Sequence, residues 1–266
     1  MKAYLSITRL KFAVQLQYRA AAAAAFFTNF FFGFVRVMVF QAFYAFSSLD
    51  QPLTMEQAVT YTWLIQVTFR MQPYWGDTEI MQMIRSGNVA YELSRPLNLY
   101  FFWYCRLFSS RLMPALLTGI PVYITARFLP GGYALSPPDS AAAGAAWLVS
   151  LFLALLLGCA ISNLITISAL WTIAGDGMQR IFPAAIMVFS GALVPLAFFP
   201  DWSQGLLKLL PFSGLMDIPF RFYLGTVPAS DILTSGLLQL TWIFIFILAG
   251  VWTMNQGTKR VVVQGG

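Results

Sequence analysis

Asp77, Glu79 and Arg85 are the residues of this chain whose types and spacing could do work. They share one short polar run, Asp77-Thr-Glu-Ile-Met-Gln-Met-Ile-Arg-Ser-Gly-Asn88, set between long apolar stretches. Acid–base chemistry would need a partner base, and the chain has no histidine, the commonest general base and metal ligand. Its 10 carboxylates are scattered, with no Asp/Glu pair at helical spacing inside an apolar stretch. Ser, Thr and Tyr are plentiful, but without a base they read as hydrogen bonds between helices. Rhomboid-like, metalloprotease-like and acyltransferase-like centres all lack their parts. Gly257-Thr258-Lys259-Arg260 is not a P-loop, so the chain cannot hold ATP in that manner. What the polar run can do is mechanical. Asp77 can accept the free amides of a first helical turn, and Glu79 suits the positive end of the helix dipole. Arg85 falls in the last turn, and Gly87 can close the helix in the left-handed conformation. Ile80, Met83 and Ile84 then form an apolar strip along one side.

Such a helix needs a scaffold, and composition says which kind. Of the 266 residues 59% are hydrophobic and 10% charged, with mean hydropathy +0.70. A soluble domain carries roughly 25% charged residues. One integral membrane domain spanning 1–266 is expected, all-α, with no polar stretch long enough for a second domain. Crossing the hydrocarbon takes about 20 helical residues. Six stretches qualify: 20–46, the more polar 53–69, one ending near Phe128 and starting between Tyr100 and Leu112, then 145–168, 181–199 and 232–254. The amino terminus reads as retained, because the Ala20–Ala25 run precedes the long apolar segment instead of following it.

An even number of spans puts both ends on one side. With that side cytosolic, the inner segments hold Lys2, Arg9, Lys11, Arg19, Arg70, Arg85, Arg95, Arg106, Arg111, Arg180, Lys259 and Arg260. The outer loops hold only Arg127, Lys208 and Arg221, so both termini are expected in the cytosol. Topology accounts for the net charge of +6; nothing points to nucleic acid. Cys105 and Cys159 read as buried free thiols.

Three further segments are more than loops. In 1–19, Ile7, Leu10, Val14 and Tyr18 make a helical stripe beside Thr8, Lys11, Gln15 and Arg19, which suits an amphipathic helix in the inner headgroup region. Residues 96–111 repeat that pattern. Residues 200–231 hold two helical pieces broken by Pro211 and Pro219, expected as a re-entrant or surface-lying hairpin on the outer side. Asn29 and Arg36 lie seven apart on one face of the first span. A charge at that depth points to a wet pathway or to a salt bridge within or between subunits, with Glu56 and Asp50 as candidate counter-ions. The six phenylalanines between Phe26 and Phe34 form either an aromatic wall for an amphipathic substrate or a lipid-facing surface.

The six-span layout, the capped helix between spans two and three and the following Glu92-Leu93-Ser94-Arg95-Pro96-Leu97 resemble the permease subunits of type-2 ABC exporters. Ser190-Gly-Ala-Leu-Val-Pro-Leu-Ala-Phe-Phe-Pro-Asp-Trp202, with Leu210-Pro211-Phe212, Pro219 and Tyr223-Leu224-Gly225, looks like that family's fifth span and outer hairpin. The ending Arg260-Val-Val-Val-Gln-Gly-Gly266 is similar to a prokaryotic branch in which two related permeases accompany one ATPase. The resemblance implies a non-catalytic permease in the inner membrane, working as a dimer with a second, related or identical permease. It implies no cofactor in this chain, with ATP and Mg bound by separate ATPase subunits. Glu79, Ile80, Met83, Ile84 and Arg85 would then couple to the ATPase, Ile80, Met83 and Ile84 as the buried contact and Glu79 and Arg85 fixing its register. The alternative for the run is a solvated connector. Residues 1–19 would be a gating helix or a passive anchor, and Gly175-Asp-Gly-Met-Gln-Arg180 a smaller second contact or a turn. A secondary carrier or channel is the rival reading; it calls for titratable groups along the spans or an inverted repeat, and the sequence offers only Arg36 and no repeat.

Overall fold

A computed structural model describes residues 2–17, 19–47, 50–94, 96–171 and 176–260. Every long element among them is helical. In chain order these are α1 (Lys2–Gln17), α2 (Arg19–Phe46), α3 (Met55–Thr68), α4 (Thr78–Arg85), α5 (Ala90–Leu93), α6 (Leu99–Arg127), α7 (Ala141–Ser168), α8 (Asp176–Phe189), α9 (Asp201–Leu209), α10 (Asp217–Tyr223) and α11 (Ile232–Gly257). Among the described residues four stretches are long and apolar enough to cross a membrane: Ala20–Phe46, Leu99–Arg127, Ala141–Ser168 and Ala229–Gly257. The helices expected as spans two and five, α3 and α8, have 14 residues each. At 1.5 Å per residue that is about 21 Å, short of the ~30 Å hydrocarbon layer.

α7 is the hub and packs on α11, α10 and α6; α3 lies between α2 and α6. The polarity of α3 follows from that position. It is buried from Ala58 to Gln66, so its side chains meet protein on all sides. The Thr62 and Thr68 hydroxyls donate to the Ala58 and Leu64 carbonyls at 2.8 and 2.9 Å, and the Trp63 indole donates to the Tyr133 carbonyl at 2.8 Å. A capping box of Thr54 and Gln57 starts the helix. α2 can press against it because position 33 is glycine: a Cβ there would sit 2.6 Å from the Trp63 ring.

Several boundaries differ from expectation. Residues 99–111 are not a separate interfacial helix but the first turns of α6, which runs unbroken to Arg127. Their apparent amphipathicity arises because Trp103, Arg106, Leu107 and Ser109 face neighbouring helices. The fifth span, expected through Phe199, ends as a helix at Phe189; Gly191 at φ 86° and Pro195 turn the chain before a short 3-10 segment. Pro219 does not break a helix but sits in the first turn of α10, where a missing amide costs nothing. α10 is buried against α7, whereas α9 exposes Trp202, Leu206 and Leu209. In α1 the expected stripe is split: Leu10 is 58% exposed, while Lys11 turns inward. Cys105 and Cys159 are free thiols, half-buried and buried. The expectations for Tyr18, Arg95, residues 172–175 and the ending 261–266 fall outside the described residues.

Candidate functional site

α4 begins where Asp77 takes an extended conformation and its Oδ1 accepts the Glu79 and Ile80 amides, each at 3.1 Å. It ends where Gly87 adopts φ 76° and the Val89 amide reaches back to the Met83 carbonyl at 3.0 Å. Both caps read from the sequence are present.

Asp77 also braces the helix. Arg106 Nε on α6 donates to its Oδ2 at 2.5 Å and Nη2 to its Oδ1 at 3.2 Å. The same Nη2 pairs with Glu79, whose carboxylate also receives Lys11 Nζ of α1 at 3.1 Å. The Asp77 amide donates to the Thr166 hydroxyl of α7 at 2.8 Å. The first turn of α4 is therefore tied to three other helices at once. The Arg106 and Asp77 side chains are 10% and 9% exposed, so the pair is largely desolvated and each charge depends on the other. Glu79 is more open. Partial burial pushes its carboxyl up, but Lys11 and Arg106 outweigh that and hold it below its ordinary value.

The apolar strip of α4 faces inward. Ile80 is fully buried among Val89, Tyr100, Trp103, Ile167 and Met254, and Met83 and Ile84 pack half-buried on the same cluster. Ile80 is therefore taken up by this chain's own helices, where the sequence suggested a contact for another protein. An eight-residue helix with a single apolar strip, lying against a large apolar bundle, buries the strip at once. Its outer surface is polar: Thr78, Glu79, Gln82, Arg85 and Ser86 are exposed. Gln179 of α8 also reaches α4, donating to the Met81 sulfur at 2.9 Å.

Sequence reasoning did not pick out Lys11, Arg106 or Thr166 for this site. Their distances along the chain from Glu79 or Asp77 are 68, 27 and 89 residues, beyond any local pattern. The one available signal was Arg106 itself, one of three arginines on a long helix that carries no Asp or Glu.

Asn29 and Arg36 lie away from α4 and face α3 and the turn after α8. Asn29 is 6% exposed and its amide donates to the Gln66 carbonyl at 3.4 Å. Arg36 Nη1 donates to the Ala192 carbonyl at 2.9 Å. Glu56 is not its counter-ion: that carboxylate accepts from the Ser136 hydroxyl at 2.5 Å. The aromatic run divides in two. Phe26, Phe30 and Phe34 pack inward around Trp63 and Tyr133, while Phe27, Phe31 and Phe32 are exposed. Among the described residues no three Cys, Asp or Glu side chains converge as a metal site.

The described residues thus form an all-helical chain with four helices long and apolar enough to cross a membrane, and a polar cluster that braces α4. The chain belongs to the ABC-2 family transporter proteins, whose sequence model matches residues 23–265. Comparison with curated proteins and with solved structures gives no match. Membership makes the chain a membrane permease of an ABC transport system.

Proposed function

We propose that this chain is the permease subunit of an ATP-driven exporter, with α4 as the element on which a separate ATPase subunit pushes. One observation carries the reading: the first turn of α4 is joined by Asp77 and Glu79 to α1, α6 and α7 together. A force on an isolated connector would be lost in its flexing. A force on α4 passes directly into two long apolar helices. The docking face is the polar one, with Glu79, Gln82 and Arg85 outward, while Ile80, Met83 and Ile84 weld α4 to the bundle. Lys11 makes α1 part of the same joint, which favours a gating helix over a passive anchor. In this reading α3 and α8 are short spans completed by 69–75 and 190–199, giving six crossings with both termini cytosolic in a prokaryotic inner membrane. Residues 200–231 then form the outer hairpin. The working unit is two permeases, this chain with a related sibling or a second copy, and two ATPases that hold ATP and Mg.

The test is purification of the complex from its native membrane with subunit identification, followed by cysteine cross-linking at Gln82. A P-loop protein joined to Gln82→Cys supports the reading. A chain that transports in vesicles without any such partner, or a Gln82→Cys labelled from outside the cell, ends it.

A further inference from the structure

None of the four long helices α2, α6, α7 and α11 contains Asp or Glu, and two of them, α2 and α6, carry arginines. Their arginines are accommodated in different ways. Arg106 pairs with Asp77 and Glu79. Arg111, buried, donates to the Trp75 carbonyl at 2.8 Å and also to the Gln72 carbonyl and the Ser162 hydroxyl. Arg36 differs from both. Among the described residues it has the single bond to the Ala192 carbonyl, and no carboxylate pairs with it.

Arg36 borders a cavity of about 330 Å³ whose other walls are almost wholly apolar, with Phe40, Phe43, Leu193, Val194 and Phe198 prominent. The Phe198 ring lies 6.2 Å from that of Phe40 and 6.4 Å from that of Phe43. An unpaired guanidinium beside apolar walls, within a spanning helix, is costly unless something of opposite charge or high polarity meets it. A carboxylate, sulfonate or phosphate does so through charge-assisted hydrogen bonds to the free N–H groups. The walls exclude a strongly hydrated ion but suit an aliphatic or aromatic body. The volume, at the small end for ligand cavities, suits a single-chain molecule.

We propose that this cavity binds a single-chain anionic amphiphile, its acidic head on Arg36 and its body along Phe40, Phe43 and Phe198, and that such compounds are what the permease moves. Only the last clause rests on the exporter reading; the binding site stands without it.

The test uses the full chain in phosphatidylcholine nanodiscs and three photoreactive dodecyl probes bearing a carboxylate, a hydroxyl or a trimethylammonium head. Labelled peptides are mapped by mass spectrometry. The carboxylate probe should mark 193–198 and the Phe40–Phe43 stretch roughly tenfold more than the other two, a factor of ten in affinity being the least expected of a desolvated charge pair. Arg36→Gln should reduce it to the level of the neutral probe, and Arg36→Lys should restore part of it; unchanged thermal unfolding of both variants shows that they fold. Equal labelling by all three probes, or carboxylate labelling that survives Arg36→Gln, overturns the proposal. The two readings fail separately. Selective labelling of a chain that never assembles with an ATPase leaves the site and removes the exporter, whereas an active ATPase complex without charge-selective labelling removes the site alone.

Discussion

Arg106 and Arg36 both sit on long apolar helices, yet the molecule treats them in opposite ways. Around Arg106 the chain gathers Asp77, Glu79 and Lys11, so charges balance and α1 and α6 are both pinned to α4. Around Arg36 it gathers phenylalanines and leaves the charge with one carbonyl. In the proposed reading the difference has a use: charges satisfied internally suit a joint that transmits force, and a charge left open suits a surface that receives a charged passenger. Asp217, on α10, is an intermediate case: it is buried, with Arg221 Nη1 3.9 Å away and its Oδ2 lacking a hydrogen bond.

Breaking the internal pair should have the largest effect. Arg106→Met leaves the desolvated Asp77 carboxylate without its partner and should destabilise the protein by about 3–5 kcal/mol, read from unfolding in mixed micelles. Asp77→Leu combined with Arg106→Met should cost clearly less than the two single changes added together, since no charge is then stranded. Arg36→Gln, by contrast, should change stability by less than about 1 kcal/mol; a loss as large as that of Arg106→Met would erase the distinction between the two sites.

Asp217 sharpens the comparison through pH. Burial pushes its carboxyl up to about 6, with Arg221 and then Lys208 opposing the shift. A raised pKa means the folded state holds the proton more tightly than the unfolded one. The benefit is therefore complete below the ordinary value of 3.8 and lost as pH rises through about 6. Unfolding measured from pH 4 to 7 should show stability falling by up to about 3 kcal/mol in the wild type and staying flat in Asp217→Asn. A flat wild-type profile would refute the buried-charge account.

The smallest effects belong to the exposed part of the joint. Gly87→Ala forces a side chain into the left-handed turn that ends α4 and should cost about 1 kcal/mol. Lys11→Ala should cost less than about 1 kcal/mol, because Glu79 is 65% exposed. Glu79 is held below its ordinary value of 4.5, so the Lys11 contact is present above that pH and is lost as pH falls beneath it. Fluorescence quenching between labels on α1 and α4 should report separation only on that acid side.

Much of the α4 region was legible in the sequence because its signals are local. Asp77, Gly87 and the spacing of Ile80, Met83 and Ile84 define a helix within a dozen residues, and hydrogen bonds between near neighbours need no knowledge of the rest. Family membership was legible from short runs spread along the chain. Which way the apolar strip faces was not legible, since periodicity gives a helix a side but never says what covers it. The span boundaries failed for a related reason. Hydropathy assumes a lipid neighbour, whereas α3 meets protein on every side and α6 absorbs the polar turns before it.

The sequence alone therefore determined the material: an apolar helical chain, a capped polar helix between apolar stretches, and a lone arginine in the first of them. The tertiary structure decided which charges meet. Lys11, Asp77, Glu79, Arg106 and Thr166 become one joint only because α1, α4, α6 and α7 converge, and Arg36 is left beside Phe198 because the chain turns at Gly191. Electrostatic pairing depends on distance in space, and distance in space is a property of the whole fold.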